Sequence, residues 1–205
     1  MVSKLHDYGR QADCVVAELM HWCERIAIAG SIRRRKPDPH DIEIVAVPRL
    51  EHYSHQVDMF KTEVRTRNLL DEKLDELKAQ GALADRLDRN GRPAWGPRFK
   101  RAMVVSSQTP IDIFSVLAPA QWGVIFAIRT GPAMFGKLVV TKRLDGGAMP
   151  LGMRVEDGVL HGLDGVIETP EEEDYFHAIG LPCWPPAVRT EEALRAWLRK
   201  ERVNV

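Results

Sequence analysis

Two acidic residues alternate with isoleucines in the stretch "HDIEIVAVP", where one apolar residue separates Asp41 from Glu43. Alternate residues of a strand lie about 6.5–7 Å apart on one face, so both carboxylates are expected to point to the same place. A third acid, Asp112, is flanked by isoleucines in "PIDIF", on another predicted strand. Carboxylates gathered this closely repel one another unless cations lie between them. Mg²⁺ prefers oxygen ligands, and two such ions about 3.5–4 Å apart would suit phosphoryl or nucleotidyl transfer.

The turn just upstream, Gly30-Ser31, carries groups that can bind phosphate. A glycine lets backbone N–H groups approach a phosphate closely, and the Ser31 hydroxyl can donate to it. Either Arg33 or Arg34, within "SIRRRK", can neutralise the phosphate charge. Alternating acids alone are also typical of the wet face of an ordinary strand. Donors, cations and metal ligands together favour a polyphosphate site instead.

Several predicted elements must position these groups. From Asp7 onward apolar residues recur at steps of three and four, typical of a packing helix, until the apolar run "IAIAGS". The runs "DIEIVAV", "AMVVSS" and "PIDIFSVL" read as strands of one sheet. Between them, residues 54–80 are predicted to form one helix that ends at Gly81, from the helical spacing of Val57, Phe60, Val64, Leu70, Leu74 and Leu77. This order of elements predicts an α+β fold.

The chain changes character along its length, and we place a boundary between residues 1–119 and residues 120–205. In the second part, "TPEEEDYFHAIG" predicts a helix with Thr169 as its N-cap and Gly180 as its stop. Thr190 is expected to cap a last amphipathic helix. A chain of 205 residues can form one domain or two small ones.

Composition limits the classes of protein that the chain can be. The 29 basic and 29 acidic residues cancel, so no net field attracts a polyanion, although residues 85–101 are locally basic. Three cysteines without a C-x-x-C pair argue against a disulfide framework or a structural zinc site. Charges spread through residues 1–30 are incompatible with a secretory signal or a spanning helix. We therefore expect a cytoplasmic or otherwise intracellular protein with no membrane partner.

Taken in order, these motifs resemble the X-family DNA polymerases, the relatives of DNA polymerase beta within the nucleotidyltransferase superfamily. "GSIRRRKPDPHDIEIV" followed by "PIDIF" is similar to that family's G-S-x-R-R, D-x-[DE] and D signature. "GVIFAIRTGPAMF" resembles its Y-F-T-G-S segment, and "EEEDYFHAIGLPCWPPAVR" resembles the end of its thumb. The likeness implies a nucleotidyltransferase-type palm, a mixed sheet with helices on one face, in residues 1–119. A small α/β thumb would follow in residues 120–205, an arrangement compact enough for a virus or phage enzyme.

The resemblance also implies an activity and its residues. A metal-dependent enzyme of this family transfers a nucleotide from a (deoxy)nucleoside triphosphate to the 3′-hydroxyl of a DNA primer, as in short-gap filling, repair or replication. The catalytic residues and metal ligands would be Asp41, Glu43 and Asp112, with two Mg²⁺ or Mn²⁺ ions. The residues that match the family's nucleotide contacts are Gly30, Ser31, Arg34, Thr130 and Gly131. The implied partners are a dNTP and primer-template or gapped DNA, and no covalent enzyme intermediate is required.

Contact with DNA would come from cations near the proposed palm and thumb. These candidate DNA-binding residues are Arg92, Arg98, Lys100, Arg129, Lys137 and Lys142. Trp95, inside the basic loop, can either stack on a base or anchor the loop to the core. His40 directly precedes Asp41 and is a candidate to orient that metal ligand.

Three departures from the family pattern keep other acceptors open. Glu43 stands where polymerases usually have aspartate, Ile128-Arg129 replaces an aromatic pair, and Pro132 replaces a serine. These residues favour a nucleotidyltransferase that acts on an RNA end, a protein or a small molecule. An inactive nucleic-acid-binding module is a third hypothesis, and the retention of all three acids argues against it.

Overall fold

The computed structural model of the protein describes residues 3–203, in which helices and strands are mixed. The α-helices are α1 Lys4–Leu19, α2 Gly30–Arg33, α3 Leu69–Ala79, α4 Trp122–Thr130, α5 Ala133–Val140, α6 Glu172–Ala178 and α7 Glu191–Val203. The strands are β1 Cys23–Ile28, β2 Ile42–Pro48, β3 Leu50–Gln56, β4 Thr62–Asn68, β5 Leu83–Asp85, β6 Phe99–Val104, β7 Thr109–Ser115, β8 Arg154–Glu156, β9 Val159–Gly162 and β10 Gly165–Ile167. The α+β class predicted from the sequence is confirmed.

A five-stranded mixed sheet in the order β1-β2-β7-β6-β5 forms the centre of the first half of the chain. Strands β2 and β7 run parallel, whereas the other neighbouring pairs are antiparallel. The parallel register sets Ile42 opposite Ile111 and Glu43 opposite Asp112. Because side chains alternate between the two faces of a sheet, the isoleucines and the acids lie on opposite faces.

Helices α1 and α3 cover the isoleucine face. Their side chains, among them Leu19 and Leu74, are fully buried in one core cluster with the strand isoleucines. On the opposite face, Phe114 packs with Trp122 and Phe126 of α4. Helix α4, which comes from the second half of the chain, therefore covers part of the face that carries the acids.

Residues 54–68 are not helical, so the prediction of one helix over residues 54–80 is wrong in its first half. Strands β3 and β4 instead form a separate two-stranded hairpin. Helix α3 begins only at Leu69, where the Asn68 side chain caps it.

The helical spacing in the hairpin is accidental. Val57, Phe60 and Val64 are 46%, 95% and 75% exposed. Their spacing of three and four residues therefore does not correspond to a buried helix face. Leu70 and Leu74, by contrast, are fully buried and lie in the part of the segment that is helical. The predicted helix end at Gly81 is confirmed by its left-handed φ of +75°, just after the C-cap.

The second half of the chain packs around its own core. Helices α4 to α7 and the three-stranded antiparallel sheet β8-β9-β10 surround a cluster that includes Phe135, Tyr175 and Phe176. Glu171, and not Thr169, is the N-cap of α6, and it forms a capping box with Asp174. No helix within residues 3–203 is long and apolar enough to cross a membrane.

The cysteines differ in accessibility, which gives a simple prediction about this fold. Cys23 is buried at the start of β1, and burial raises the pKa of its thiol to about 11. Cys14 and Cys183 are exposed. We expect a chromogenic disulfide reagent at mildly alkaline pH to modify Cys14 and Cys183 in the native protein, and Cys23 only after unfolding. Equal reactivity of all the thiols in the native state would contradict this placement of Cys23.

Candidate active site

The three predicted acids lie together on one face of the sheet. Glu43 and Asp112 are opposite one another on the parallel strands β2 and β7, and Asp41 immediately precedes β2. Burial and then the charge of Asp41 raise the pKa of Glu43 to about 7. Burial and then the charge of Asp112 raise the pKa of Asp41. The repulsion between the acids that the sequence predicts is therefore present in the folded chain, where it adds to the effect of burial on their pKa values.

Arginine side chains surround these acids. Arg101 lies opposite Asp112 on the neighbouring strand β6 and donates two hydrogen bonds to its carboxylate, at 2.9 and 2.8 Å. Arg86 lies 3.7 Å from the same carboxylate. The Arg129 guanidinium is stacked 3.9 Å from the ring centre of Phe114, and its charge favours the ionised form of Glu43. The site therefore combines closely spaced carboxylates with several guanidiniums.

The Gly30 turn packs directly against Glu43. The Ala29 N–H donates to the Glu43 carbonyl oxygen at 2.8 Å, and Gly30 has a φ of +62°. A Cβ atom at Gly30 would lie 1.9 Å from the Glu43 Oε2. Glycine is thus required here both by the left-handed backbone and by the approach of the carboxylate.

Two polar groups of this turn are buried without a partner among the residues that the structure describes. They are the Ser31 hydroxyl oxygen and the Arg34 Nε. Burial also lowers the pKa of Arg34, a mark of a cation held away from water. Unsatisfied buried donors are costly, and a bound anion would satisfy them. This turn therefore suits a phosphate group.

Arg33 and Arg34 both contact Thr130 at the end of α4, but they differ in what else they do. The Arg33 Nη1 donates to the Thr130 hydroxyl at 2.6 Å, and the Arg34 Nη1 donates to the Thr130 carbonyl oxygen. Arg33 also donates two hydrogen bonds to Glu172, at 2.8 and 2.9 Å. Arg33 is therefore committed to the fold, and Arg34 is the cation with an unpaired donor. The residue types alone left the choice between Arg33 and Arg34 open, and the family resemblance named Arg34.

Thr130 and Gly131, predicted to lie along the nucleotide, are both buried beside this turn. The Thr130 hydroxyl is bound to Arg33, so that group is already occupied. A Cβ atom at Gly131 would lie 2.5 Å from the Phe135 ring. The close contact between Gly131 and Phe135 fixes the connection from α4 to α5.

The cations predicted to bind DNA fall into different environments. Lys100 is 4% exposed and binds Asp71 and the Gly96 carbonyl oxygen, so it acts within the fold. Arg98 is exposed and pairs with Asp157 at 2.6 Å. Arg129 lies at the acids, as described above. The remaining candidates are exposed, namely Arg92, Lys137 and Lys142.

Trp95 and His40 have local partners. The Trp95 Nε1 donates to Asp75 on α3 at 2.7 Å, which favours the interpretation that it anchors the basic loop. His40 lies 3.4 Å from Asp38 and 3.5 Å from Lys4, and no hydrogen bond joins it to Asp41 within the described part of the chain. The hypothesis that His40 orients Asp41 thus gains no support.

The sequence reasoning missed the residues that bind the site together. In the sequence, Arg101 stands out only as a member of the basic run 85–101. A short turn joins β6 to β7, however, and pairing the two strands residue by residue from Val104 opposite Thr109 sets Arg101 opposite Asp112. Glu172 lies within the predicted helix of "TPEEEDYFHAIG", and it accepts hydrogen bonds from both Arg33 and Arg189. No local pattern marks that long-range contact.

The site has carboxylate donor groups but no complete metal-binding arrangement among the described residues. In residues 3–203, no group of three or more His, Cys, Asp and Glu side chains is arranged so as to hold a metal ion. The carboxylates of Asp41, Glu43 and Asp112 are nevertheless ligands of the kind that Mg²⁺ or Mn²⁺ prefers, and burial, together with the charge of a neighbouring acid, raises the pKa of Asp41 and of Glu43. Both oxygens of the Asp112 carboxylate accept hydrogen bonds from Arg101. A metal ion that binds Asp112 must therefore share this carboxylate with Arg101 or displace the Arg101 side chain.

Comparison with known proteins adds no family to these observations. No model of a known protein family matches the chain, and a search of curated proteins finds no relative. The likeness to X-family polymerases therefore rests on the motifs, and the activity of the chain is a matter for proposal.

Proposed function

We propose that this chain is a metal-dependent nucleotidyltransferase that uses a (deoxy)nucleoside triphosphate. The observation that carries the proposal is the position of the Gly30 turn, which holds unpaired buried donors directly against a cluster of three carboxylates. Phosphate-binding groups beside oxygen ligands for a divalent ion are what transfer of a nucleotide requires. Residues 1–119 would then act as a nucleotidyltransferase palm and residues 120–205 as a small thumb.

The side chains of the site have separate roles in this proposal. Ser31 and Arg34 bind the triphosphate through the donors that lack partners. Arg129, beside Glu43, balances part of the added negative charge. Divalent ions held by Asp41, Glu43 and Asp112 would supply activation of the acceptor hydroxyl and counter-charge for the departing pyrophosphate. The acids and arginines act by position and charge, and none of them forms a covalent bond to the nucleotide.

The acceptor proposed first is the 3′-hydroxyl of a DNA primer, in gapped or primer-template DNA, as the motifs suggest. A second candidate is an acceptor other than DNA, such as an RNA end, a protein or a small molecule. Two of the predicted DNA-binding cations favour this second candidate, because they already have acidic partners within the chain. Lys100 is buried against Asp71, and Arg98 is paired with Asp157. The formal net charge of zero also provides no general attraction for a polyanion.

The test is incorporation of labelled nucleotide by the purified protein with Mg²⁺ or Mn²⁺. Each labelled dNTP and NTP is offered with gapped DNA, primer-template DNA or an RNA oligonucleotide, and self-modification is read on a denaturing gel. Asp112→Asn is expected to lose the activity. The matched control is Asp38→Asn, because Asp38 is exposed and pairs with Lys4 and His40.

The acceptor that becomes labelled decides between the candidates. Extension of DNA supports a polymerase, and labelling of RNA or protein supports the second candidate. Binding of DNA or RNA without any nucleotide transfer would favour the inactive nucleic-acid-binding module. Full activity in Asp112→Asn would overturn the proposed site.

Arg34 gives a more specific prediction about nucleotide binding. Arg34→Met is expected to raise the KM for the triphosphate by about 10- to 100-fold, because a charge-assisted hydrogen bond is worth about 1.5–3 kcal/mol. The control is Arg35→Met, since Arg35 is adjacent and exposed. Steady-state kinetics over a range of nucleotide concentrations measure the effect. A larger effect at Arg35 than at Arg34 would contradict the assignment.

A further inference from the structure

The β3–β4 hairpin stands apart from the rest of the fold. It forms its own two-stranded sheet, without ladder pairing to the five-stranded sheet. Its exposed apolar residues include Met59 at 82%, Phe60 at 95% and Val64 at 75% exposure. A two-stranded hairpin is only marginally stable in water by itself. Such an arm is expected to gain stability from a partner.

The outer edge of β4 is open and regular. The pairing with β3 runs from Leu50 opposite Asn68 to Gln56 opposite Thr62 without a bulge. Hydrogen bonds at Val57–Lys61 and at Leu69–Arg49 show that the odd-numbered residues of β4 bond towards β3. The N–H and C=O groups of Thr62, Val64 and Thr66 therefore point outward. An edge of this kind, without proline or bulge, is a template for another strand.

The sequence of β4 is complementary to itself. In an antiparallel pair of two β4 strands with the two-fold axis at Val64, Glu63 of each copy lies opposite Arg65 of the other, and Thr62 lies opposite Thr66. Shifting the axis to Glu63 or to Arg65 sets like charges opposite each other, which is destabilising. Arg65 has no ion pair among the residues that the structure describes, so it is available for one.

We infer that two copies of this chain associate through β4 into a four-stranded antiparallel sheet with a two-fold axis at Val64. Each outward N–H and C=O of Thr62, Val64 and Thr66 then gains a partner. The only like-charged pair in this register joins Lys61 to Arg67. It is offset because Lys61 already pairs with Glu63 at 2.6 Å, and Arg67 pairs with Glu51. The acids lie at the opposite end of β2 from the hairpin, so the candidate active site stays open.

The register also gives the exposed tip a place to pack. The pairing of Thr62 with Thr66 brings the hairpin tip of one copy, which carries Phe60, towards Asn68 of the other, at the start of α3. Met59 and Phe60, almost fully exposed in a single chain, can then pack near Leu50 of the second copy, which lies opposite Asn68 and is 41% exposed. Such contact adds to the strand pairing the apolar area that a stable dimer needs.

Disulfide trapping tests the axis directly. In a chain with Cys14 and Cys183 both replaced by serine, Val64→Cys places two thiols opposite each other across the axis, at a Cα separation of about 5.5 Å that suits a disulfide. Mild oxidation is expected to yield a covalent dimer. The control is Ser54→Cys, which lies opposite Val64 on β3 and is therefore one strand further from the new interface. Cross-linking of the two variants at equal rates would overturn the proposed register.

Charge exchange provides an independent test in solution. Sedimentation equilibrium of the full chain is expected to show a dimer, and Arg65→Glu or Glu63→Arg alone is expected to weaken it at least about tenfold, because each change sets like charges opposite one another. The double exchange restores opposite charges and is expected to restore the dimer. Circular dichroism checks that each variant is folded. A wild-type monomer at every accessible concentration, or a dimer unaffected by the single changes, would overturn the inference.

Discussion

Replacement of Gly30 by alanine is expected to reduce nucleotidyl transfer by at least about 100-fold, because small displacements of reacting groups are that costly. The new Cβ would lie 1.9 Å from Oε2 and 2.7 Å from Cδ of Glu43, far inside contact distance. Either Glu43 must leave its position opposite Asp112, or the Gly30 turn must move away from β2. Both outcomes separate the groups that the proposed reaction needs together.

Gly81→Ala is the matched control for this change. Gly81 has a φ of +75°, close to the +62° of Gly30, but no atom lies within 4 Å of a Cβ built there. Both variants should therefore lose about 1–3 kcal/mol of stability from the left-handed backbone, and only Gly30→Ala should lose activity. Chemical denaturation and nucleotide incorporation measure the two effects separately. Equal activity in the two variants would show that the Gly30 turn does not belong to the active site.

Glu172→Gln is expected to destabilise the protein by about 3–5 kcal/mol, the usual cost of breaking a buried ion pair. Glu172 accepts hydrogen bonds from Arg33, which follows Gly30 in the same turn, and from Arg189, which is 2% exposed. A neutral amide leaves both guanidiniums without their counter-charge in a buried place. Urea denaturation followed by tryptophan fluorescence measures the loss.

Glu171→Gln is the control, because the neighbouring carboxylate makes a similar pair in water. Its partner Arg25 donates to both carboxylate oxygens, at 2.8 and 2.6 Å, but the side chain of Glu171 is 58% exposed. An exposed pair contributes less than about 1 kcal/mol. If the two variants were equally stable, the Glu172 network would carry no more free energy than a surface pair.

The role of Glu172 also predicts how the stability of the protein depends on pH. Burial raises the pKa of Glu172, but hydrogen bonds from Arg189 and Arg33 outweigh it and hold the pKa below its usual range. The ionised form therefore stabilises the native state above the ordinary glutamate pKa, and this contribution is lost as the pH falls through the lowered value. Glu172→Gln is expected to be less sensitive than the wild type in that acid range. Parallel acid transitions in the two proteins would contradict this.

The core of the candidate site was predictable because it depends on short-range patterns. Acidic and apolar residues alternate in "DIEIVAV" and in "PIDIF", so within each strand the acids lie on the face opposite to the isoleucines. The parallel register then brings Glu43 opposite Asp112. The Gly30 turn followed from its place between two apolar strands. The alternation that orients each acid lies within a few positions of it, whereas the pairing of β2 with β7 joins residues that are far apart in the chain.

Other features depend on contacts that no short pattern reveals. Residues 54–68 share a helical spacing but lie in an exposed hairpin, where burial does not select a period. Lys100 resembles the other cations of its run, yet Asp71 of α3 removes it from the surface. The pairing of Arg33 with Glu172 joins distant parts of the chain. Packing, rather than local propensity, decides these positions.

The parallel pairing of β2 with β7 has a consequence for the order of folding. A parallel pair cannot be closed by a tight turn, and here the hairpin, α3, β5 and β6 lie between its strands. The antiparallel pair of β6 and β7 has only a short loop to close, and it sets Arg101 opposite Asp112. We expect the β6–β7 pair to form first, so that Asp112 is already paired with Arg101 when it approaches Asp41 and Glu43. The folding chain then assembles its three carboxylates without meeting their full repulsion.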